Sequence, residues 1–321
     1  MRHIALTLTI VVLGSSIFSG CGNNDKQAGG LPEIGMLYAD SIQVPPVLLS
    51  VTSMFIMGND TLVAYQGRND TLFSFWSFPE FKLLSSAGIR GQGGDDFLEL
   101  YRNFLPTVGV FRAFVISSCR VKDVALTDNG QLSVSSKNLE LDFVPNRFLF
   151  LKDDTYCFFS MNGDYEFGLY NEKEGLRYFG TYPNVSEQKE GIAKVLFFNK
   201  LTVAHPSGDM FAAFYANMKL CRIYSNTGEL LYESMLEHPV KLQDNLYKMH
   251  YSMQPFASQD YIYTLTTEGS QCILEVWNWE AELMERYLLD KPIDKFVLKD
   301  NVLYGVNPEE EDFIYCYDLS D

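Results

Sequence analysis

Residues 224–230, YSNTGEL, place a large aromatic residue before a polar turn and a leucine six positions later. Residues 277–283, WNWEAEL, repeat that outline. Polar and glycine-rich turns of this kind join antiparallel strands. The same outline recurs along the chain, and we call its leading residues the anchor residues: Phe75, Leu126, Tyr170, Tyr224, Trp277 and Tyr317. A short outline that recurs in this way indicates a repeat protein.

The spacing of the anchor residues indicates which kind of repeat this is. They lie 51, 44, 54, 53 and 40 residues apart. An apolar run precedes most of them, as in TLFSF, LCRIY and CILEVW, and another strand-like run usually follows the turn. Each unit therefore holds three to four short antiparallel strands. Four-stranded units of roughly 40 to 50 residues are typical of β-propellers.

The two ends of the repeat region predict how the ring closes. The sixth unit stops four residues after Tyr317, while residues 34–44, IGMLYADSIQV, precede the first unit without a partner of their own. An open ring would leave unpaired strand edges, which favour aggregation. We therefore predict an all-β, six-bladed propeller over residues 34–321, with its last blade completed by the N-terminal strand. A ring of seven blades is the alternative.

The first residues have the pattern of an export signal. A basic start is followed by ten apolar residues, which is too short to span a membrane, and then by Ser19, Gly20 and Cys21. We predict a lipoprotein signal peptide over residues 1–20, lipid attachment at Cys21 and a flexible tether over residues 21–33. This predicts an outer-membrane lipoprotein, facing the periplasm or exposed at the surface. An ordinary secretory signal is the alternative.

The net charge limits the partners that the protein can bind. The formal net charge is -16, which disfavours nucleic acid as a partner because like charges repel. We predict a monomer that contacts the membrane through its lipid anchor.

Five further cysteines contain no CxxC pair, and we interpret them mostly as buried free thiols, although disulfides are chemically feasible outside the cytoplasm. They are Cys119, Cys157, Cys221, Cys272 and Cys316.

Three features together resemble a known family. They are the Ser-Gly-Cys lipid-attachment pattern, the six repeat units, and the loop of residues 88–97, GIRGQGGDDF, after SFPEFKLLSS. The chain resembles the TolB-like six-bladed propeller lipoproteins of Bacteroidetes, whose members often carry a G-x-G-x-G-P-x-E-F loop. This chain lacks the proline, and Asp96 stands where glutamate is usual. The resemblance implies the fold, but it assigns no biochemistry.

The glycine loop does not have the pattern of a phosphate-binding site. Asp96 stands where a dinucleotide fingerprint needs its last glycine, and Gly94 stands where a P-loop needs lysine. We expect the glycines to allow sharp turns, an aspartate to accept backbone N–H groups, and Phe97 to fill a gap between two sheets. The alternative is a cation site at Asp95 and Asp96, with calcium as the ion.

No catalytic cluster is recognisable in the sequence, and the catalytic residues are unknown. His205, His238 and His250 lack zinc-site spacing, so no metal site and no cofactor are predicted. We therefore expect a non-enzymatic binding or scaffold propeller that recognises a protein or glycan through its loops. The alternative is a calcium-dependent hydrolase or a glycan-active enzyme with its site in the central channel.

Overall fold

Six largely antiparallel sheets surround a central axis in the computed structural model, which describes residues 31–44, 51–186, 193–243, 246–307, 309–310 and 312–320. The predicted signal peptide, Cys21 and most of the predicted tether lie outside the described residues. The all-β, six-bladed architecture predicted from the repeats is confirmed.

The strands are numbered in chain order. The N-terminal segment contributes β1 (Ile34–Leu37) and β2 (Asp40–Gln43). Blade 1 holds β3 (Ser53–Met57), β4 (Thr61–Tyr65), β5 (Thr71–Ser77) and β6 (Leu83–Ile89). Blade 2 holds β7 (Leu105–Pro106), β8 (Val110–Val115), β9 (Arg120–Leu126) and β10 (Leu132–Asn138). Blade 3 holds β11 (Asn146–Phe150), β12 (Tyr156–Phe159), β13 (Phe167–Asn171) and β14 (Gly175–Phe179).

The second half of the ring follows the same plan. Blade 4 holds β15 (Lys200–Ala204), β16 (Met210–Tyr215), β17 (Lys219–Ser225) and β18 (Leu230–Glu237). A hairpin of β19 (Lys241–Gln243) and β20 (Leu246–Tyr247) follows. Blade 5 holds β21 (Phe256–Ala257), β22 (Tyr261–Glu268), β23 (Gln271–Asn278) and β24 (Leu283–Leu289). Blade 6 holds β25 (Lys295–Lys299), β26 (Val302–Val306) and β27 (Phe313–Asp318). A short helix, α1 (Lys194–Phe197), precedes blade 4, and a 3-10 turn spans Ile116–Ser118.

The middle strands of each blade are buried on both faces because neighbouring blades pack against both sides. In β16 and β17 nearly every residue is buried, whereas every residue of the outermost strand β18 is exposed or half-buried. A strand covered on both faces needs continuous apolar residues, not alternating ones. This explains why the sequence runs FAAFY and CILEVW lack a polar face.

The anchor residues all lie on the third strand of a blade, counted outward from the axis. Five of the six are buried, with Trp277 and Phe75 fully so, and Leu126 is half-buried. In blades 1 to 5 the anchor residue precedes the turn that leads to the outermost strand, as where Tyr224 pairs with Leu230. The repeat outline is therefore the recurring connection between the two outer strands of blades 1 to 5.

The N-terminal segment closes the ring as predicted. Strand β2 pairs antiparallel with β27, with Ile42 opposite Ile314, and becomes the outermost strand of blade 6. The pairing of the preceding strand, β1, was not predicted from the sequence. This strand pairs parallel with β24, with Ile34 opposite Arg286, as a fifth strand of blade 5. One short segment thus ties together the last two blades.

The five cysteines in the described residues are free thiols, as interpreted from the sequence. Cys157, Cys221 and Cys272 are buried, and Cys119 and Cys316 are half-buried. Burial raises the pKa of the Cys316 thiol to about 11, so this thiol is protonated at neutral pH. The cysteines behave as small apolar side chains in the packing between strands.

Candidate binding site

The innermost strands of the blades enclose a channel that contains two adjoining cavities. The first has a volume of about 730 Å³ and is lined by residues of all six innermost strands, β3, β7, β11, β15, β21 and β25. The second, of about 950 Å³, lies where β3, β11 and β15 begin. Four residues line both cavities, which places the two end to end: Arg102, Asn103, Thr202 and Gln254.

The second cavity concentrates positive charge in a strongly acidic protein. Its lining includes Arg68, Arg90, Arg102 and Arg147, which are four of the ten arginines in the chain. Glu99 is the only carboxylate among its described lining residues. We call these four residues the arginine mouth. Since the whole chain carries a net charge of -16, this local excess of guanidinium groups stands apart from the rest of the surface.

Each arginine reaches the mouth from a connection between strands or from the start of a strand. Arg68 lies in the turn between β4 and β5, and Arg90 directly follows β6. Arg102 lies in the segment that leads from blade 1 to blade 2, and Arg147 lies at the start of β11. All four are exposed to the solvent of the mouth. The radial arrangement of the blades brings together residues that are far apart in the sequence.

Side-chain hydrogen bonds fix the backbone of the mouth. The Tyr101 hydroxyl donates to the Pro145 carbonyl at 3.2 Å, and the Asn103 amide donates to the Phe148 carbonyl at 3.1 Å. These two bonds flank Arg102 and tie its segment to the one that carries Arg147. The binding groups are thus held on a rigid frame before any ligand arrives.

Carboxylates of the described chain do not form ion pairs that neutralise the arginines of the mouth. In the described part of the chain, none of the four forms an ion pair with a carboxylate. Arg90 donates to the Gly67 carbonyl, a neutral acceptor. Guanidinium groups offer several N–H donors in a planar fork, so this mouth presents donors and positive charge to a ligand.

Two tyrosines, Tyr65 and Tyr101, line the mouth together with the arginines. Burial raises the pKa of Tyr65 and outweighs the opposing effect of the nearby Arg90. Burial likewise raises the pKa of Tyr101, against the effect of Arg147. Both phenols therefore remain neutral at ordinary pH and add no negative charge to the mouth.

The glycine loop is a structural connection between blades 1 and 2. Phe97 is fully buried and packs edge-on against Phe73 at 5.3 Å between ring centroids. The Asp96 carboxylate accepts the Gly93 N–H at 3.0 Å. The ammonium of Lys122 donates to the carbonyls of Gly94 and Asp96 at 2.7 and 2.6 Å. These contacts match the expected roles of the aspartate and of Phe97.

The reason for the glycines in this loop differs from the expected one. Only Gly88 has a positive φ, at 86°. At Gly91 and Gly93, a Cβ would lie 2.3 and 2.7 Å from the Asp96 carboxylate. These glycines therefore make room for a folded-back carboxylate, not for a left-handed backbone.

The candidate cation site at Asp95 and Asp96 is not brought together with other acidic ligands. Asp95 is exposed, and the cavity of about 410 Å³ beside the loop is lined by Asp96 together with Arg120 and Lys122. Across the described residues, no group of three or more His, Cys, Asp or Glu side chains is close enough to hold a metal ion. The cation site stays a prediction without added support.

A cluster of buried charges lies outside the channel, between blades 3 and 4. We call it the Glu166 cluster. Glu166 Oε1 accepts from Lys200 Nζ at 3.0 Å and from the Tyr215 hydroxyl at 2.6 Å. Its Oε2 accepts from Arg222 Nη1 at 2.6 Å and from the Tyr224 hydroxyl at 3.0 Å. Glu166 lines neither channel cavity, so these bonds join blades and offer nothing to a ligand.

The fold and the channel define a six-bladed β-propeller with a cationic opening. No protein-family model and no curated protein sequence matches the chain. A solved structure of a DUF4221 family member from Bacteroides vulgatus is similar, with 10% identity over 88% of this chain and 97% of that chain and a TM-score of 0.59. A protein from Bacteroides fragilis described as exported has 12% identity over 88% and 94% and a TM-score of 0.55.

A luciferin-regenerating enzyme is also similar, with 8% identity over 87% of this chain and 95% of that chain and a TM-score of 0.50. Identities this low show a shared fold alone, because one fold hosts many functions. They confirm the propeller, while membership of the TolB-like lipoproteins stays a prediction. Within the described residues, no helix is both long and apolar enough to cross a membrane.

Proposed function

We propose that this protein is an extracytoplasmic lipoprotein and a non-enzymatic binding propeller, which recognises anionic groups of its partner at the arginine mouth. The observation that carries this proposal is the set of four arginines, without ion pairs in the described chain, around one opening of the channel. The sequence left a protein and a glycan open as partners. The mouth favours one that carries carboxylate, phosphate or sulfate groups.

The chemistry of the mouth suits binding of anions. Guanidinium groups form paired, charge-assisted hydrogen bonds with carboxylates and phosphates, and these are stronger than neutral hydrogen bonds. A concave site of one charge sign also raises the local concentration of ligands of the opposite sign. Because the surrounding protein is acidic, an anion is guided toward this opening and away from the remaining surface.

The same groups do not favour acid–base catalysis. A glycan hydrolase of the usual kind needs two carboxyl groups flanking the bond that breaks, whereas the described lining supplies one carboxylate to each cavity, Glu99 at the mouth and Asp300 in the other cavity. His205 lines the other cavity, where its ring nitrogens contact Ser207 Oγ at 2.7 Å and the Gln259 carbonyl at 3.0 Å. We therefore favour binding over the hydrolase alternative.

Isothermal titration calorimetry with citrate, oligogalacturonate and hexaglutamate tests the proposal, with a neutral maltooligosaccharide as the comparison. We expect the anions to bind and the neutral sugar not to bind. Affinity should fall between about 50 mM and about 500 mM salt, since screening weakens exposed charge pairs. If none of the three anions binds at low salt, the proposed function is wrong.

A matched pair of variants assigns the binding to the mouth. Arg102→Gln combined with Arg147→Gln removes two charge-assisted contacts, and we expect about a 100-fold loss of affinity, or about 2.8 kcal/mol. Arg177→Gln is the control, because Arg177 is an exposed arginine on β14 that lines neither cavity. An equal loss in both variants would place the anion elsewhere.

The lipid anchor is a separate part of the proposal and has its own test. The sequence pattern at Cys21 supports acylation and attachment at the outer membrane, on its periplasmic or its external side. Metabolic labelling with a fatty acid should mark the wild-type protein and not Cys21→Ser. Protease treatment of intact cells then distinguishes the two sides. Labelling that persists in Cys21→Ser would refute the assigned site.

A further inference from the structure

The anion-binding mouth opens directly into the cavity of about 730 Å³, whose walls are mainly apolar along the middle of the channel. Its lining includes apolar residues from five of the six innermost strands or from the positions just before them: Phe55, Phe104, Leu105, Phe150, Val203 and Phe256. The rings of Phe55 and Phe104 stack at 4.7 Å between centroids, which gives this part of the wall a fixed shape.

We propose that the ligand is an amphipathic anion, with its acidic group at the arginine mouth and its apolar body in the adjoining cavity. This inference rests on the proposed function, because it assigns the same mouth to the acidic group. Arg102 and Asn103 line both cavities, so a single ligand can reach the cationic and the apolar parts together. The ligand class is an acidic group on an unbranched hydrocarbon chain.

The size of the cavity agrees with this ligand. Pockets for small organic ligands have volumes of roughly 300 to 1,000 Å³ and are lined mostly by apolar side chains. A hydrated anion without an apolar part would leave these walls in contact with water. Each methylene that enters should raise affinity about fourfold, since burying one is worth about 0.8 kcal/mol.

The far end of the channel explains the orientation of the ligand. Two polar side chains there already have partners within the chain. Lys299 donates to the Asn59 carbonyl, and both ring nitrogens of His205 are in hydrogen-bond contact. The acidic group is therefore better placed at the arginine mouth, where guanidinium groups have no carboxylate partner in the described chain.

Calorimetry with a series of hexanoate, octanoate, decanoate and dodecanoate tests the inference, below the micellar concentration of each. The protein is the full chain with Cys21→Ser, so that an acyl group of its own does not compete. We expect affinity to rise about fourfold per added methylene until the cavity is filled. Dodecanol, which has the same chain without the charge, should bind at least 10-fold more weakly than dodecanoate.

A second arm separates the sources of the acidic group. Dodecyl phosphate and lysophosphatidate carry phosphate heads, and they show whether a free fatty acid or an acidic lipid is preferred. Arg102→Gln with Arg147→Gln should reduce the difference between dodecanoate and dodecanol to less than about threefold. Tighter binding of either the carboxylate or the phosphate ligands supports an amphipathic anion as the ligand and identifies which acidic head group the site prefers.

Variants that place a larger side chain in the cavity test independently where the hydrocarbon chain binds. Ala204 lines the channel on β15, and Ala204→Phe should remove the chain-length dependence while leaving citrate binding unchanged. Ala257→Leu on β21 is a smaller change for use if the first variant does not fold. Persistence of the chain-length dependence in a folded variant would place the hydrocarbon outside the channel.

The outcomes separate this inference from the proposed function. Equal affinity for hexanoate and dodecanoate, with citrate still bound, would overturn the amphipathic ligand and leave the anion mouth intact. Equal affinity for dodecanol and dodecanoate would overturn the role of the acidic group. Failure of every anion, citrate included, would overturn the proposed function as well.

Discussion

The protein uses its arginines in two contrasting ways. Arg222, in the Glu166 cluster between blades 3 and 4, is 6% exposed at its side chain and contacts Glu166 and Glu233 at 2.6 and 2.5 Å. Arg102 and Arg147, at the channel mouth, are exposed and have no carboxylate partner in the described chain. One set of charges is neutralised by the fold, and the other is left available.

The difference follows from the energetics of burial. A buried charge without a partner costs several kcal/mol, so Lys200 and Arg222 depend on the Glu166 carboxylate. Burial lowers the pKa of Lys200, and the adjacent Glu166 opposes that shift. An exposed guanidinium carries no such penalty. Arginines can therefore stay without a carboxylate partner in the mouth at little cost in stability, and an anionic ligand would supply one.

The largest expected effect is in the buried cluster. Glu166→Gln removes the carboxylate that neutralises Lys200 and Arg222, and we expect the free energy of unfolding to fall by about 3–5 kcal/mol. Urea denaturation measures this loss. Glu172→Gln is the control, because Glu172 is exposed and its contact with Lys137 at 3.1 Å is at the surface. A cost below about 1 kcal/mol at Glu166 would contradict the comparison.

A smaller effect concerns acidification. His250 is buried, its Nε2 atom has no hydrogen-bond partner in the described part of the chain, and burial lowers its pKa to about 4. The imidazole is neutral in the fold, whereas the unfolded chain takes up a proton near pH 6.5. Stability is therefore full above that pH and falls as the pH drops toward about 4, by about 3 kcal/mol.

Denaturation of His250→Gln at several pH values isolates this contribution. The variant should lose less stability than the wild type between pH 6.5 and pH 4, because glutamine does not titrate. His205→Gln is the control, since His205 lies at the channel and contacts polar groups. Parallel curves for His250→Gln and the wild type would show that another group governs the acid response.

The smallest expected effect on stability is at the mouth. Arg102→Gln with Arg147→Gln should change the free energy of unfolding by less than about 0.5 kcal/mol, because exposed residues without ion pairs contribute little. Urea denaturation in the absence of anions measures this change in the free energy of unfolding. A loss of several kcal/mol would mean that these arginines support the fold, and the contrast with the Glu166 cluster would disappear.

Much of the fold could be predicted from the sequence because its signals are local. Tyr224 and Trp277 begin the same turn at equivalent places in two blades, and such turns depend on adjacent residues. The closure by residues 34–44 could be predicted because the sixth unit lacked a strand. The pairing of β1 with β24 could not, since a four-residue parallel edge strand leaves no distinctive pattern.

The candidate site could not be predicted in the same way. Arg68 and Arg147 are 79 positions apart, and only the curvature of the ring brings them to one opening. A signal was nonetheless present. Six of the ten arginines fall within residues 68–147, and Arg102 and Arg147 lie shortly before or at the start of an innermost strand. Because all innermost strands line the channel, their starting residues are candidates for its opening.

The pairing of β2 with β27 has a consequence for the order in which the chain can be connected. Residue 318 ends one strand of this antiparallel pair, and residue 40 begins the other beside Cys316. In a chain without β1, a short hairpin could join these two points, and the gene could then start at another turn, such as the one at Gly130. In such a rearranged chain, blade 6 would be translated as four consecutive strands.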